Sequence, residues 1–168
     1  DVKEAWDCHG VGSTGVKVWD DLNGDGKSDY TTISGTTHYV SLLTGSGYTH
    51  HTLSGHGGGE SDMSTRDNMN GDGKMDYVTM SNNGNHYVSL STGEGYVNET
   101  WYGHGVGSTG VKVWADLNGD GKSDYTTISG TTHYVSLSTG SGYTNHTWSG
   151  HGVGDNGSRA WTDMNGDG

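Results

Sequence analysis

Four stretches of the chain alternate carboxylate and amide side chains in a pattern suited to holding a cation. They read DLNGDGKSD from Asp21, NMNGDGKMD from Asn68, DLNGDGKSD from Asp116 and DMNGDG from Asp163. Calcium is a hard ion that takes six to eight oxygens at about 2.3–2.6 Å, several of them from carboxylates. In the first loop Asp21, Asn23 and Asp25 alternate, so a wrapped backbone can turn all three toward one point. Gly24 and Gly26 permit the positive φ angles such a wrap demands. Lys27 would give its carbonyl oxygen and Asp29 would close the shell. The same roles fall to Asn68, Asn70, Asp72, Lys74 and Asp76 in the second loop, and to Asp116, Asn118, Asp120, Lys122 and Asp124 in the third. The fourth offers Asp163, Asn165 and Asp167.

The expectation is several calcium ions, one per loop. The second loop has one carboxylate fewer and should bind more weakly unless Asp67 swings in, so affinity should be graded, strongest in the first and third. An EF-hand would need a bidentate Glu at the twelfth position, where Thr32 and Thr127 stand. Magnesium keeps its waters and suits an all-protein cage poorly. A plain Asx-rich turn is the bland alternative, and the recurrence of the whole pattern argues against it.

The elements around the loops must be short and numerous. Hydrophobic residues make up 28% of the 168, Phe and Pro are absent and Gly fills 32 positions, so one thick aliphatic core is excluded. Six Trp, ten Tyr and strict repetition argue against disorder. The net charge of −12 disfavours nucleic acid as a partner. Half of the 20 acidic residues fall inside the loops, and four divalent ions would bring −12 to −4. A single cysteine, Cys8, allows no internal disulfide; it could pair between chains, but Gly55, Gly103 and Gly150 occupy its position in other repeats, which suggests a small residue in a tight turn. No apolar stretch is long enough for a membrane span and no signal peptide is visible.

The loops recur at steps of 47, 48 and 47 residues, as do the His-Gly pairs at His9, His56, His104 and His151. A third mark is the His-Tyr-Val run from His38, His86 and His133. Residues 9–57 and 104–152 are nearly identical at an offset of 95. Trp19, Trp114 and Trp161 share a position that Arg66 fills in the middle repeat; Trp6, Trp101 and Trp148 share another, where Leu53 stands. In the first repeat Val16–Trp19, Tyr30–Ile33, His38–Leu42 and Tyr48–Leu53 read as short strands between glycine turns, with no helical stripe anywhere. The fold class expected is all-β, built of propeller-type blades of four short antiparallel strands. The divisions are residues 1–10 (end of a preceding blade), 11–57, 58–105 and 106–152 (three whole blades), and 153–168 (start of a further one). Such a row would stay open, or be completed by further chain or by an oligomer.

The loops DLNGDGKSD with the following HYVSLSTGSGY resemble FG-GAP or VCBS-type repeats, the blades of integrin-like calcium-binding propellers. The resemblance implies calcium held between the first two strands of each blade, and usually seven blades. The chain is similar also to fungal propeller lectins that bind N-acetylglucosamine-type sugars between blades. Asn68 in place of a leading Asp, and the small blade number, depart from the pattern.

Trp101, Tyr102 and Trp148 are candidates for sugar stacking, although inter-blade packing is the favoured reading in a protein that lacks Phe. Asn98, Asn145 and Asn156 head N-glycosylation sequons. Seven histidines recur once per repeat, as packing residues would and a catalytic residue would not; His50, His51 and His146 form an exposed polar edge or a weak metal site. The function expected is a non-enzymatic, calcium-binding repeat scaffold or adhesion module, extracellular, secreted or at the cell surface. Its partners would be other copies or further repeats of the same chain. A carbohydrate-binding lectin is the alternative, and an accessory domain of a secreted hydrolase a weaker one.

Overall fold

The computed structural model describes residues 16–57, 64–105 and 111–152. Each of these segments folds into one sheet of four consecutive antiparallel strands. The first blade holds β1 (Val16–Asp20), β2 (Asp29–Ser34), β3 (Thr37–Leu43) and β4 (Tyr48–Ser54). The second holds β5 (Ser64–Asp67), β6 (Asp76–Met80), β7 (Asn85–Ser91) and β8 (Tyr96–Tyr102). The third holds β9 (Lys112–Ala115), β10 (Asp124–Ser129), β11 (Thr132–Ser138) and β12 (Tyr143–Ser149). The fold is all-β, as the glycine-punctuated pattern predicts, and the expected strands of the first repeat match within a residue or two at each end. The described residues contain no helix long and apolar enough to cross a membrane. The fragments at 1–10 and 153–168 lie outside the described residues.

A four-stranded sheet has two faces, and a blade buries both only if neighbours cover them. The second strand of each blade shows this directly: Asp29 through Ile33, Asp76 through Met80 and Asp124 through Ile128 are all buried, with no alternation. Their threonines and β-branched residues fit a pleated surface packed on two sides. Aliphatic burial is modest and repeats per blade: Leu22, Val40, Leu42 and Leu53 cluster with Tyr96 of the next blade. Met69, Val78, Val88, Leu90 and Trp101 cluster with Trp114 and Tyr143. Each core therefore straddles a junction between blades.

Recurrent histidines fasten those junctions. His38 Nε2 lies 3.1 Å from the His56 carbonyl and its Nδ1 lies 3.3 Å from Tyr96 Oη. A carbonyl only accepts, so Nε2 carries the proton and the Tyr96 hydroxyl donates to Nδ1. His86 repeats the arrangement with the His104 carbonyl (3.3 Å) and Tyr143 Oη (3.1 Å). Burial holds the pKa of both rings down at about 4, against the opposing pull of the carbonyl bond. His56 and His104 reach forward instead: their backbone amides donate to Ser89 Oγ and Ser136 Oγ of the following blade, and their Nε2 atoms to the Glu99 and His146 carbonyls.

Candidate functional site

Each acidic loop joins the first two strands of its blade. In the first, Asp21 Oδ1 accepts from the Gly24 and Asp25 amides at 2.7 and 3.1 Å, and Oδ2 from Gly26 at 2.8 Å. Gly24 and Gly26 have φ of 77° and 82°, the left-handed geometry that lets successive amides aim at one carboxylate. Asn23 Oδ1 accepts from Asp25, and Asp25 Oδ1 from Lys27. The third loop is the same, with Asp116 accepting from Gly119, Asp120 and Gly121. In the second, Asn68 Oδ1 takes the Gly71 amide alone of these bonds.

The closing Asp of each loop faces inward. Asp29 is fully buried; its Oδ2 accepts from the Leu22 amide and its Oδ1 from the Leu43 amide, so it pins the loop to the end of β3. Asp76 binds the Met69 and Ser91 amides, and Asp124 those of Leu117 and Ser138. Desolvation raises the pKa of all three against the lowering effect of these amides, to about 6 for Asp76.

The lysine side chains add contacts that the loop pattern does not give. The Lys27 ammonium lies 2.8 Å from Asp25 Oδ2, which leaves the expectation for its carbonyl oxygen as it stood. Lys74 pairs with Asp72 and Lys122 with Asp120 at 2.9 and 3.0 Å. The hydrogen bond from Lys27 holds Asp25 below the usual carboxylate range. Asp67 does not swing into the second loop; its Oδ1 takes the neighbouring Asn68 amide. Among the described residues no three acidic, histidine or cysteine side chains are gathered closely enough to hold a metal by themselves.

The donors still suit calcium in kind. All are oxygens, and a carboxylate oxygen that accepts one amide, as Asp21 Oδ2 and Asp25 Oδ1 do, keeps a second lone pair. Asp21, Asn23, Asp25 and Asp29 would hold the ion together with the Lys27 carbonyl, once the Lys27 ammonium is released from Asp25. Bound calcium would supply charge neutralisation and rigidity. Asp163, Asn165 and Asp167 lie outside the described residues.

The loops also touch one another. The Met75 amide donates to the Asp21 carbonyl and the Ser123 amide to the Asn68 carbonyl, each across a blade junction. A Cβ on Gly24 would come within 3.2 Å of Lys74 Cγ, and one on Gly71 within 3.1 Å of Lys122 Cγ. Beside the first loop a cleft of about 440 Å³ is lined by Asn23, Asp25, Leu42, Thr92, Gly93 and Glu94.

The sugar candidates separate. Trp101 is closed into the core at 2% exposure, its Nε1 donating to Glu99 Oε2, so its ring faces are not available to a ligand. Tyr102 and Trp148 are exposed, and His146 stacks on Trp148 at 6.1 Å. The sequon residues Asn98 and Asn145 donate their Nδ2 protons to the Ser54 and Tyr102 carbonyls of the preceding blade, giving them a structural role. Asn156 lies outside the described residues.

Sequence reasoning gave Arg66 no role. Its side chain is 6% exposed at the junction of the first two blades, 5.3 Å from the Tyr77 ring centroid and 3.6 Å from Asp20 Oδ2. None of its three guanidinium nitrogens has a hydrogen-bond partner within usual distance, nor has Asp20 Oδ2. The signal was present: where the other repeats pair two tryptophans 13 residues apart, this one pairs Leu53 with Arg66.

Residues 68–127 match the FG-GAP-like repeat family. No curated protein matches the chain in sequence. Among solved structures, the chain is similar to an Agrocybe aegerita lectin studied for recognition of non-reducing terminal N-acetylglucosamine, at 20% identity and a TM-score of 0.65. That match covers 81% of this chain and 38% of the lectin. It is similar also to a mutant Photorhabdus luminescens Tc holotoxin pore, at 20% identity and a TM-score of 0.61, over 79% of this chain and 7% of that one. Residues 68–127 thus resemble an FG-GAP-like repeat, and the described chain is a succession of three propeller-type blades.

Proposed function

We propose that the protein is a non-enzymatic extracellular scaffold or adhesion module whose blades are made rigid by calcium in the acidic loops. The observation that carries this reading is the double use of each loop. The closing Asp already ties loop to strand through two amides, while Asp21, Asn23 and Asp25 crowd oxygens at the exposed end. A divalent ion would neutralise that crowd and stiffen a blade with little apolar surface of its own. Calcium titration by calorimetry after chelation is expected to show two tighter sites and one weaker among the three described loops, with a rise in melting temperature. Circular dichroism and melting that ignore a chelator would sink the reading.

A second reading, carbohydrate binding, is favoured by the exposed aromatic edge at Tyr102 and Trp148. Tyr102 is 71% exposed and Trp148 43%, and His146 stacked beside Trp148 sets a polar ring next to a stacking face, the mixture sugar sites use. The fold of the N-acetylglucosamine-recognising lectin gives it a precedent. N-acetylglucosamine binding by calorimetry, lost in Trp148→Ala, is its test; no heat with the intact chain removes it.

A further inference from the structure

The acidic loops are tied to one another by a bond pattern that repeats at both described junctions. The Met75 amide donates to the Asp21 carbonyl at 3.0 Å, and Ser91 Oγ donates to the next carbonyl along, that of Leu22, at 2.6 Å. At the following junction the Ser123 amide reaches the Asn68 carbonyl at 2.9 Å, and Ser138 Oγ the Met69 carbonyl at 2.6 Å. Two successive carbonyls of a loop are thus held by the blade that follows it, the first of them on the loop's leading ligand candidate.

Both donors depend on the closing aspartate of that following blade. Met75 directly precedes Asp76, and the Ser91 amide donates to Asp76 Oδ1 at 2.7 Å. Ser123 directly precedes Asp124, and the Ser138 amide donates to Asp124 Oδ1 at 2.7 Å. Asp76, Ser91, Asp124 and Ser138 are all buried, so water offers them no substitute partner. Asp76 Oδ2 in turn accepts from the Met69 amide, and Asp29 Oδ2 from the Leu22 amide. Asp124, Ser138, Met69, Asp76, Ser91 and Leu22 therefore form one buried hydrogen-bonded line that runs from the third loop to Asp29 in the first.

A second link is shorter. The Met75 amide belongs to the same peptide unit as the Lys74 carbonyl, the oxygen expected to ligate calcium in the second loop. The Ser123 amide shares a peptide with the Lys122 carbonyl of the third loop in the same way. A cation on such a carbonyl polarises the peptide and strengthens the bond that its N–H donates to the preceding loop. We propose that neighbouring loops load calcium cooperatively: an ion in the third loop raises the affinity of the second, and an ion in the second raises that of the first. Ser138 and Ser91 are the residues that transmit the effect alongside the two peptides. Linkage makes each effect mutual, and the first and third loops communicate through the second. The second loop, with one carboxylate fewer, gains from both sides. Repulsion between the ions opposes the coupling, and the oxygens that surround each ion reduce it. The inference rests on the calcium reading of the loops and adds that the sites are not independent.

The test follows loop glycines of the isotope-labelled full chain by NMR during calcium titration. Gly24 and Gly26 report the first loop, and Gly71 and Gly73 the second. Asp120→Ala disables the third loop at an exposed ligand candidate. In that variant the calcium concentration that half-loads the second loop is expected to rise about fivefold or more, and that of the first loop by less. The rise should shrink in a Ser138→Ala background, a change that removes no ligand candidate. Leu43, at the same position of the first blade, keeps its amide on Asp29, so the strand tolerates loss of the hydroxyl. A second loop that loads at the same concentration with and without Asp120→Ala overturns the proposal, whatever Ser138→Ala does to the fold. So does a second loop that loads more tightly in Asp120→Ala, the result that repulsion alone would give, or a rise undiminished by Ser138→Ala. Glycine resonances that ignore calcium altogether would instead refute the calcium reading, and the coupling with it.

Discussion

Asp29 and Asp25 sit four residues apart in one loop and do different work. Asp29 is buried with an amide on each oxygen, so Asp29→Ala strands two backbone donors and should cost about 3 kcal/mol even without calcium. Asp25 is exposed and its carboxylate is held mainly by Lys27, so Asp25→Ala should leave calcium-free stability nearly unchanged while weakening calcium binding tenfold or more. Urea denaturation in chelator, paired with calcium calorimetry, separates the two; equal loss of stability would show that the loop has no such division. At this scale the sequence was informative about residue kind and less so about posture. Alternation and glycine spacing pointed to the loops in which Asp21 and Asp116 gather backbone amides, because both depend on local backbone geometry. That Lys27 turns its ammonium onto Asp25, or that Asn98 spends its amide on the Ser54 carbonyl, depends on neighbours the local pattern does not contain.

Strands were legible for a related reason. Glycine turns and β-branched runs act locally, so Asp29–Ser34 and Tyr48–Ser54 lie within a residue of the expected spans. Burial was not legible strand by strand. Trp101 and Trp148 share a repeat position, yet one is enclosed and the other exposed, since enclosure comes from the next blade. The histidines show how strongly the junction acts on an element. His38 and His86 are buried neutral with pKa about 4, below the ordinary 6.5. A depressed value means that the unfolded chain takes up the proton first. The stability these rings contribute is therefore whole above pH 6.5 and is lost as pH falls toward 4, on the order of 2 kcal/mol each. Asp76, raised to about 6 by burial, acts in the opposite sense over part of that range in the absence of calcium. Comparing the chain with His86→Gln in chelator isolates the histidine. The variant should be weaker at pH 7.5, and the gap should close by pH 4.5. A gap independent of pH would mean that His86 titrates in the folded state much as it does in the unfolded one.

Across the whole molecule, stability is divided among junctions, because each blade contacts only its neighbours and buries little by itself. The two described junctions are then the terms to compare. The first encloses a guanidinium with three unpartnered nitrogens beside Asp20, an arrangement whose desolvation Asp20 at 3.6 Å repays only in part. The second encloses Trp101 and Trp114 against Tyr143. Leu53→Trp with Arg66→Trp converts the first into the second at both positions. Asp67 holds the Asp20 position at the second junction, so an acid there is compatible with the tryptophan pair. Either change alone mismatches the junction: an indole in place of Leu53 would crowd the guanidinium, and one in place of Arg66 would face a leucine too small to meet it. The double variant should therefore be more stable than the intact chain by about 1–3 kcal/mol, with each single variant less stable. Denaturant midpoints for the four proteins give the coupling directly. Additive effects would mean that the two positions do not meet across the junction, and a double variant weaker than the intact chain would mean that Arg66 is satisfied there by a bound ligand or water.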